Sequence, residues 1–537
     1  MAEHFIGVDV GTGSARAGVF DADGIMLASA KRNIALYLEA GDIAEQSSED
    51  IWQAVCASVR EAIDIAGIDP ASIHGIGFDA TCSLVVLGEG GKPLPVGASG
   101  DPDRNIIVWM DHRALGQAER INATRHTVLD YVGGTISPEM ETPKLLWLAE
   151  HMPQTFASAW QFFDLADYLT WRATGSLARS ICTLTCKWTY LGHEGRWEAG
   201  YFETIGLGSL ALEGFARIGT QVVPGGTALG QGLSPIAAEA MGLPSGIAVG
   251  AGLIDAHAGG IGTVGARGGA GDVQSRMAYV FGTSACTMAT TAQPSFVPGV
   301  WGPYYSAMMP GLWLNEGGQS AAGAAIEQLT QFHPATPEAS RTAASAGLSL
   351  VAWLAEEAQR RGGAASAPAL IGDIHVVPEF LGNRSPFADP EAKAVIAGLG
   401  MDRSMDSLVG LYLAGISGLG YGVRQILAAM AEQGTSIDTI VISGGAGQSA
   451  LVRQILADAT GITIAATQSE EPVLLGSAIL GAVAAGRYAD IGAAMHAMSQ
   501  IGETYRPSPD LAAWHERRLT AFAALQQVGR TIRQTAS

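Results

Sequence analysis

The chain has 537 residues, of which 48% are apolar and 15% charged, enough for roughly two to four domains with sizeable cores. A formal charge of −20 disfavours a nucleic-acid partner, whose phosphates would be repelled over most of the surface. No apolar run approaches the eighteen or so residues of a membrane span and the start, MAEHFIGVDV, lacks a signal-peptide pattern, so no membrane partner and a cytoplasmic location are expected.

The first predicted elements lie in GVDVGTGSARAGVFD, residues 7–21, where an apolar strand stops at an aspartate and two glycines and a second strand begins at once. DADG (21–24) predicts a tight turn and IMLASA a third strand. GEGGKP (88–93) reads as a hairpin turn. The glycine-dense GLIDAHAGGIGTVGARGGAGD (252–272) marks a boundary, giving an N-terminal domain over 1–262 and a C-terminal domain over 263–537. AYVFGTSACTMATT (278–291) repeats the strand, tight turn and strand of the opening, so two related halves are expected, each beginning with an antiparallel meander. Residues 340–367, alanine-rich and charged, read as a surface helix and loop. TIVISGGAGQSALVRQILADATG (439–461) predicts a strand, a glycine turn and a helix. ITIAAT adds a strand, EEPVLLGSAILGAVAAG a small-residue helix beginning beside Pro472, and LAAWHERRLTAFAALQQV a terminal helix on the second half. The five cysteines (Cys56, Cys82, Cys182, Cys186, Cys286) are scattered. Cys182 and Cys186 sit four apart without a matching zinc-spaced pair, so buried free thiols are expected.

The opening turn is not a dinucleotide fingerprint, because its third glycine position is Arg16 and a strand, not a helix, follows. Nor does the chain carry a P-loop there, since GEGGKP has a lysine followed by proline. A hairpin that cups phosphate remains. Gly11, Thr12 and Ser14 would offer backbone and hydroxyl donors, Arg16 would offset charge, and Asp9 would hold Mg²⁺. Gly282, Thr283 and Ser284 would cup the β and γ phosphates from the other half, and Gly444, Gly445 and Gly447 would pass under the adenosine. An ordinary β-hairpin with a solvent-facing aspartate is the alternative for the first turn taken alone.

The order DxGTxSxR, GTS, GGAGQ resembles the actin-like ATPase fold and, within it, the FGGY carbohydrate kinases. Further matching pieces are WMDHR (109–113), KLLW (144–147), DLADYLTWRATG (164–175) and GNRSPFADPEAKAVIAGL (382–399), so the resemblance covers nearly the whole chain. It implies an α/β protein of two actin-like (ribonuclease H-like) ATPase domains with a cleft between them. ATP with Mg²⁺ would lie mainly on the C-terminal domain and a sugar mainly on the N-terminal one. It places the acceptance of the hydroxyl proton on Asp255, sugar contacts on Ala80, Thr81, Asp111, Lys187, Asp255 and Glu316, and the third ATP turn on Gly444, Gly445, Gly447 and Gln448. Two departures from the common pattern are Gln448, where many members carry asparagine, and Arg113, which the L-ribulokinases often lack.

FDATCS (78–83), Lys187 and Glu316 look like the ribulokinase branch, and TCKW looks closest to its D-ribulokinase-type members. The implied reaction is phosphorylation of a pentulose or pentitol, D-ribulose first and ribitol, L-ribulose or xylulose as alternatives, by a homodimer. A non-catalytic nucleotide- or sugar-sensing module on the same fold is the rival from another class, and the presence of both Asp9 and Asp255 argues against it. Asp255 opens a predicted helix, which should lower its pKa and make it a weak base that takes the proton late. His257 should point away from Asp255 and simply pack.

Overall fold

The computed structural model describes residues 3–536. Strands β1 (His4–Val10), β2 (Ser14–Asp21) and β3 (Met26–Asn33) form the antiparallel meander expected at the start. Helix α1 (Ser48–Ala66) then crosses to β4 (Ile73–Ala80), which lies parallel to β1. The helix is capped by the Ser47 side chain, which accepts from the Asp50 N–H, and is ended by Gly67 in the left-handed conformation. Its face of Ile51, Val55, Val59 and Ala62 is buried against the sheet. Every residue of β1 is buried, so both faces of this sheet are covered.

Helix α2 (Ile181–Lys187) lies further along, and two short strands, β5 (Ala248–Val249) and β6 (Leu253–Ile254), both pair with β4. The last of these runs straight into α3 (Asp255–Ile261). Beside this sheet is a smaller side sheet of short strands, among them 84–88 and 159–164, which the sequence patterns did not reveal.

The second half repeats the plan. Strands β7 (Arg276–Phe281), β8 (Ala285–Thr291), β9 (Trp301–Tyr305) and β10 (Trp313–Gln319) form an antiparallel run. Helix α4 (Met405–Glu432) leads to β11 (Thr439–Ser443), α5 (Ala450–Thr460) and β12 (Thr463–Thr467), then α6 (Pro472–Ala484) and β13 (Ile501–Tyr505). The sheet order is β9–β10–β8–β7–β11–β12–β13. Helix α7 (Pro509–Ala536) closes the chain and buries Phe522 beside Tyr421 and Ala459.

Residues 340–367 differ from expectation. They contribute to two helices, Thr336–Ser345 and Leu350–Arg360, separated by the left-handed Gly347, and bury Ala343, Trp353 and Leu354 in the second core. Alanine concealed the apolar face there. Helix α6 follows β12 of the second sheet yet lies on the first. A Cβ at Gly7 or Gly77 would stand 1.9 or 2.0 Å from the carbonyl oxygens of Leu474 and Ser477, so helix and sheet backbones touch. No helix among the described residues is long and apolar enough to cross a membrane.

Candidate active site

The β1–β2 and β7–β8 turns line one cavity of about 450 Å³ between the two sheets, together with Asp255, Lys187 and Glu316. Each turn is closed by a backbone bond, Gly11 N–H to Ser14 O (3.0 Å) and Gly282 N–H to Ser284 O (2.9 Å). A Cβ at Gly11, Gly13 or Gly282 would meet nothing closer than 3.6 Å, so protein packing does not demand glycine there. The missing side chains leave room on the cavity side for another group's oxygens, as a phosphate cradle requires. The Thr283 carbonyl accepts from Ala322 and Ala324, which fixes the second turn against the helix that follows β10. Thr12 is held by the indole N–H of Trp109 at 2.9 Å.

Carboxylates converge beneath the first turn. Asp9 and Asp79 are in register on parallel β1 and β4, and Arg16, opposite Asp9 on β2, donates to it from Nε at 2.8 Å and to Glu471 from Nη1 at 2.8 Å. Asp79 is fully buried and accepts from Ser477 Oγ at 2.5 Å; burial first, then the charge of Asp9, carries its pKa well above the usual carboxylate value. Burial beside Asp9 thus favours the neutral form of Asp79. Asp255 is the first residue of α3, with Oδ1 accepting from the Ala256 N–H at 2.7 Å. Its pKa is pushed up to about 6, by burial first and the charge of Asp9 second. The lowering expected from the helix start is reversed, because one backbone bond at a two-turn helix does not offset desolvation beside another carboxylate. Ile254, not Asp255, occupies the cap position. This crowding of hard oxygen donors fits a divalent cation such as Mg²⁺, with Asp9 at the cavity wall as ligand.

In the same cavity Lys187, the last residue of α2, and Glu316, on β10, are both buried. Burial works against the Lys187 charge, but Cys82, Glu316 and Tyr304 carry its pKa above the usual lysine value. Burial likewise opposes Glu316, yet a bond from His257 and the charges of Lys187 and Arg384 bring it down to about 2. The two side chains remain an ammonium donor and a carboxylate acceptor, the pair a polyol would meet. Thr81 lines the cavity too, its N–H bonded to Val10 O at 2.9 Å.

Some groups were missed. Trp301 faces the cavity with Lys187 Nζ 5.3 Å and the Arg384 guanidinium 5.4 Å from its ring centre. Among the described residues no carboxylate lies in salt-bridge range of Arg384; its guanidinium donates to Cys286 Sγ at 3.7 Å. GNRSP carried this arginine as part of a matching segment, but nothing in the sequence pointed it at a cavity. His257 does more than pack: Nδ1 lies 3.0 Å from Cys182 Sγ and Nε2 3.4 Å from Glu316 Oε2.

Other expected residues lie elsewhere. Ala80 is fully buried at the end of β4 and is not among the cavity's lining residues. Asp111 is also fully buried, with both oxygens occupied by the backbone N–H of Ala44 (2.7 Å) and by Arg113, which also pairs with Glu45. WMDHR thus reaches the cavity through Trp109. Gly444, Gly447 and Gln448 line a separate cavity of about 310 Å³ whose wall includes Pro472, next in sequence to Val473 of the first. Gly445 is exposed in the same turn but outside that lining. Gly444 is required by its backbone: φ is +88°, and a Cβ would lie 2.6 Å from the Phe281 carbonyl oxygen.

Residues 4–262 match the N-terminal domain of the FGGY family of carbohydrate kinases, and residues 277–485 match its C-terminal domain. An FGGY carbohydrate kinase domain-containing protein of Homo sapiens is 45% identical over 530 residues, 97% of this chain and 96% of that protein. A D-ribulokinase of Saccharomyces cerevisiae is 39% identical over 514 residues, 90% of this chain and 72% of that protein. A crystal structure described as a xyloylose kinase from Brucella ovis superposes with a TM-score of 0.81 at 21% identity, covering 99% of this chain and 100% of that one, which shows the shared fold.

Proposed function

Because the chain belongs to the FGGY family of carbohydrate kinases, we propose that it transfers the γ-phosphoryl group of ATP to the terminal hydroxyl of D-ribulose, giving D-ribulose 5-phosphate and ADP. Its membership makes it an ATP-dependent sugar kinase; the acceptor is the part proposed. The observation that carries the reading is the single cavity in which two glycine turns, Asp255, Lys187 and Glu316 meet. The 39% identity to a protein named D-ribulokinase supports the choice of sugar.

In this reading the turns 11–14 and 282–284 bind phosphate oxygens through backbone N–H groups, and Gly444, Gly447 and Gln448 receive the adenosine. Lys187 donates to the acceptor's oxygens while Glu316 and the backbone around Thr81 accept from its hydroxyls. The terminal hydroxyl oxygen attacks the γ-phosphorus as the bond to ADP breaks, and its proton passes to Asp255 Oδ. With a pKa of about 6, Asp255 is ionised at neutral pH and basic enough to take the proton without waiting for the bond to be complete. The Mg²⁺ that accompanies ATP would be held by Asp9, with Asp79 behind it, and would supply charge neutralisation at the phosphates. Residues 1–262 together with α6 then make one lobe of the cleft, and the rest of 263–537 makes the other.

An ADP-release assay across D-ribulose, L-ribulose, D-xylulose and ribitol tests the reading. D-ribulose is expected to give the highest kcat/KM. A higher value on another acceptor removes D-ribulose, and negligible turnover on all four removes the pentulose kinase reading.

A further inference from the structure

Behind the acceptor pocket lies a group that phosphoryl transfer does not use. Cys182 and Cys186, one turn apart on α2, face His257 on α3, and all three are buried. Their two Sγ atoms and an imidazole nitrogen lie within 4.8 Å of one another. Cys182 Sγ is 3.0 Å from Nδ1 and is also approached by the Ile254 backbone N–H at 3.5 Å. The opposite nitrogen, Nε2, faces the Glu316 carboxylate at 3.4 Å. A carboxylate oxygen there accepts, so Nε2 carries the hydrogen and the Nδ1 lone pair points at the sulfurs.

We propose that Cys182, Cys186 and His257 form a metal site for a thiophilic d¹⁰ ion, Zn²⁺ or Cu⁺, bound by two thiolates and Nδ1. Two soft sulfurs and an imidazole select such an ion over Mg²⁺ or Ca²⁺, and binding expels the two thiol protons. Two thiolate charges cancel those of Zn²⁺, so the buried site carries no net charge from the ion. The outer contacts are those a bound metal uses: a carboxylate on the far ring nitrogen and a backbone N–H on a ligating sulfur. Three ligands suit Cu⁺ directly. Zn²⁺ calls for a fourth, which a water can supply. The ion would pin the imidazole and thereby the orientation of Glu316.

The test is metal analysis of the full chain by inductively coupled plasma mass spectrometry. It is run as purified, and again after anaerobic equilibration with Zn²⁺ alone or Cu⁺ alone and desalting. About one equivalent per chain is expected in at least one arm, and the arm identifies the ion. Cys186→Ser and His257→Gln should each lose it while circular dichroism stays that of the wild type. Glu316→Gln should keep it at an affinity weaker by about 10- to 100-fold. Should the variants fail to fold, Co²⁺ added to wild-type protein decides, through thiolate-to-cobalt absorption in the near ultraviolet. Wild-type protein that retains no ion in any arm and shows no such band overturns the proposal, and leaves the cluster as a thiol–imidazole hydrogen bond.

Discussion

Asp255→Asn separates the chemistry of the carboxylate from its cost to the fold. Burial and Asp9 raise the Asp255 pKa from 3.8 to about 6, a difference of roughly two units, or about 3 kcal/mol. The folded state binds this proton more tightly than the unfolded chain does. Stability from that preference is therefore present below pH 3.8 and is lost as pH rises towards 6; above pH 6 the fold carries the full cost of an ionised carboxylate. Asparagine removes the charge, so the variant should be more stable than wild type at pH 8. The carboxylate borders the cavity, where solvent screens it, so a gain of about 1–3 kcal/mol is expected, read as a melting point higher by a few degrees. The gain should fade by pH 4. Over the same range kcat should fall by about 10²- to 10⁴-fold, as for loss of a general base, while wild-type kcat/KM should climb about tenfold per pH unit below 6 and then level. Differential scanning fluorimetry at pH 4.5, 6 and 8 and a coupled ADP assay measure both. A variant that melts no higher at pH 8 refutes the electrostatic account, and one that keeps kcat within tenfold of wild type removes Asp255 as the base.

Three further substitutions probe the remaining parts. Glu316→Gln removes the acceptor of His257 and the counter-charge of Lys187, and should raise the sugar KM about 10- to 100-fold while the KM for ATP holds; steady-state kinetics in both substrates decides. Arg384→Met should also raise the sugar KM, and an unchanged value would mean that its open donors serve only Trp301 and Cys286. Gly77→Ala drives a methyl to within 2.0 Å of the Ser477 carbonyl oxygen and should lower stability by about 1–3 kcal/mol or more, read from the melting point; a neutral result would mean that α6 does not lie flush on the first sheet.

What could be read from the sequence was what local patterns encode. A strand that ends in aspartate and glycine, then resumes as a strand, admits one kind of turn, and both hairpins appear where they were expected. The roles of Asp9 and Arg16 came from the chemistry of the first turn and those of Lys187 and Glu316 from the resemblance, and all four residues line one cavity. Properties set by residues distant in sequence were not legible. The pKa of Asp255 depends on Asp9, some 250 residues away, so its helix position alone gave the wrong sign. Asp111 looked available, but Ala44 and Arg113 take up its carboxylate. His257 looked like a packed residue because its partners, Cys182 and Glu316, stand on two other elements.

Helix α6 ties these parts into one mechanical unit. Just before it, Glu471 pairs with Arg16 at the first phosphate turn, and within it Ser477 donates to Asp79. Gly476 meets the backbone of α3, where a Cβ would lie 1.9 Å from the Ala258 carbonyl oxygen. Backbone in contact with backbone across Gly7, Gly77 and Gly476 locks α6 against the first sheet and against α3. Yet α6 follows directly on β12 of the second sheet, and β13 returns to that sheet after it. The chain therefore passes between the lobes near residues 262–276, 468–471 and 499–501, and motion of the lobes has to be absorbed in those short segments. Closing the cleft would then carry Asp255, Asp9 and the first turn as one body towards Gly282–Thr283–Ser284. The distance from the proposed base to the second phosphate turn is the quantity that closure changes.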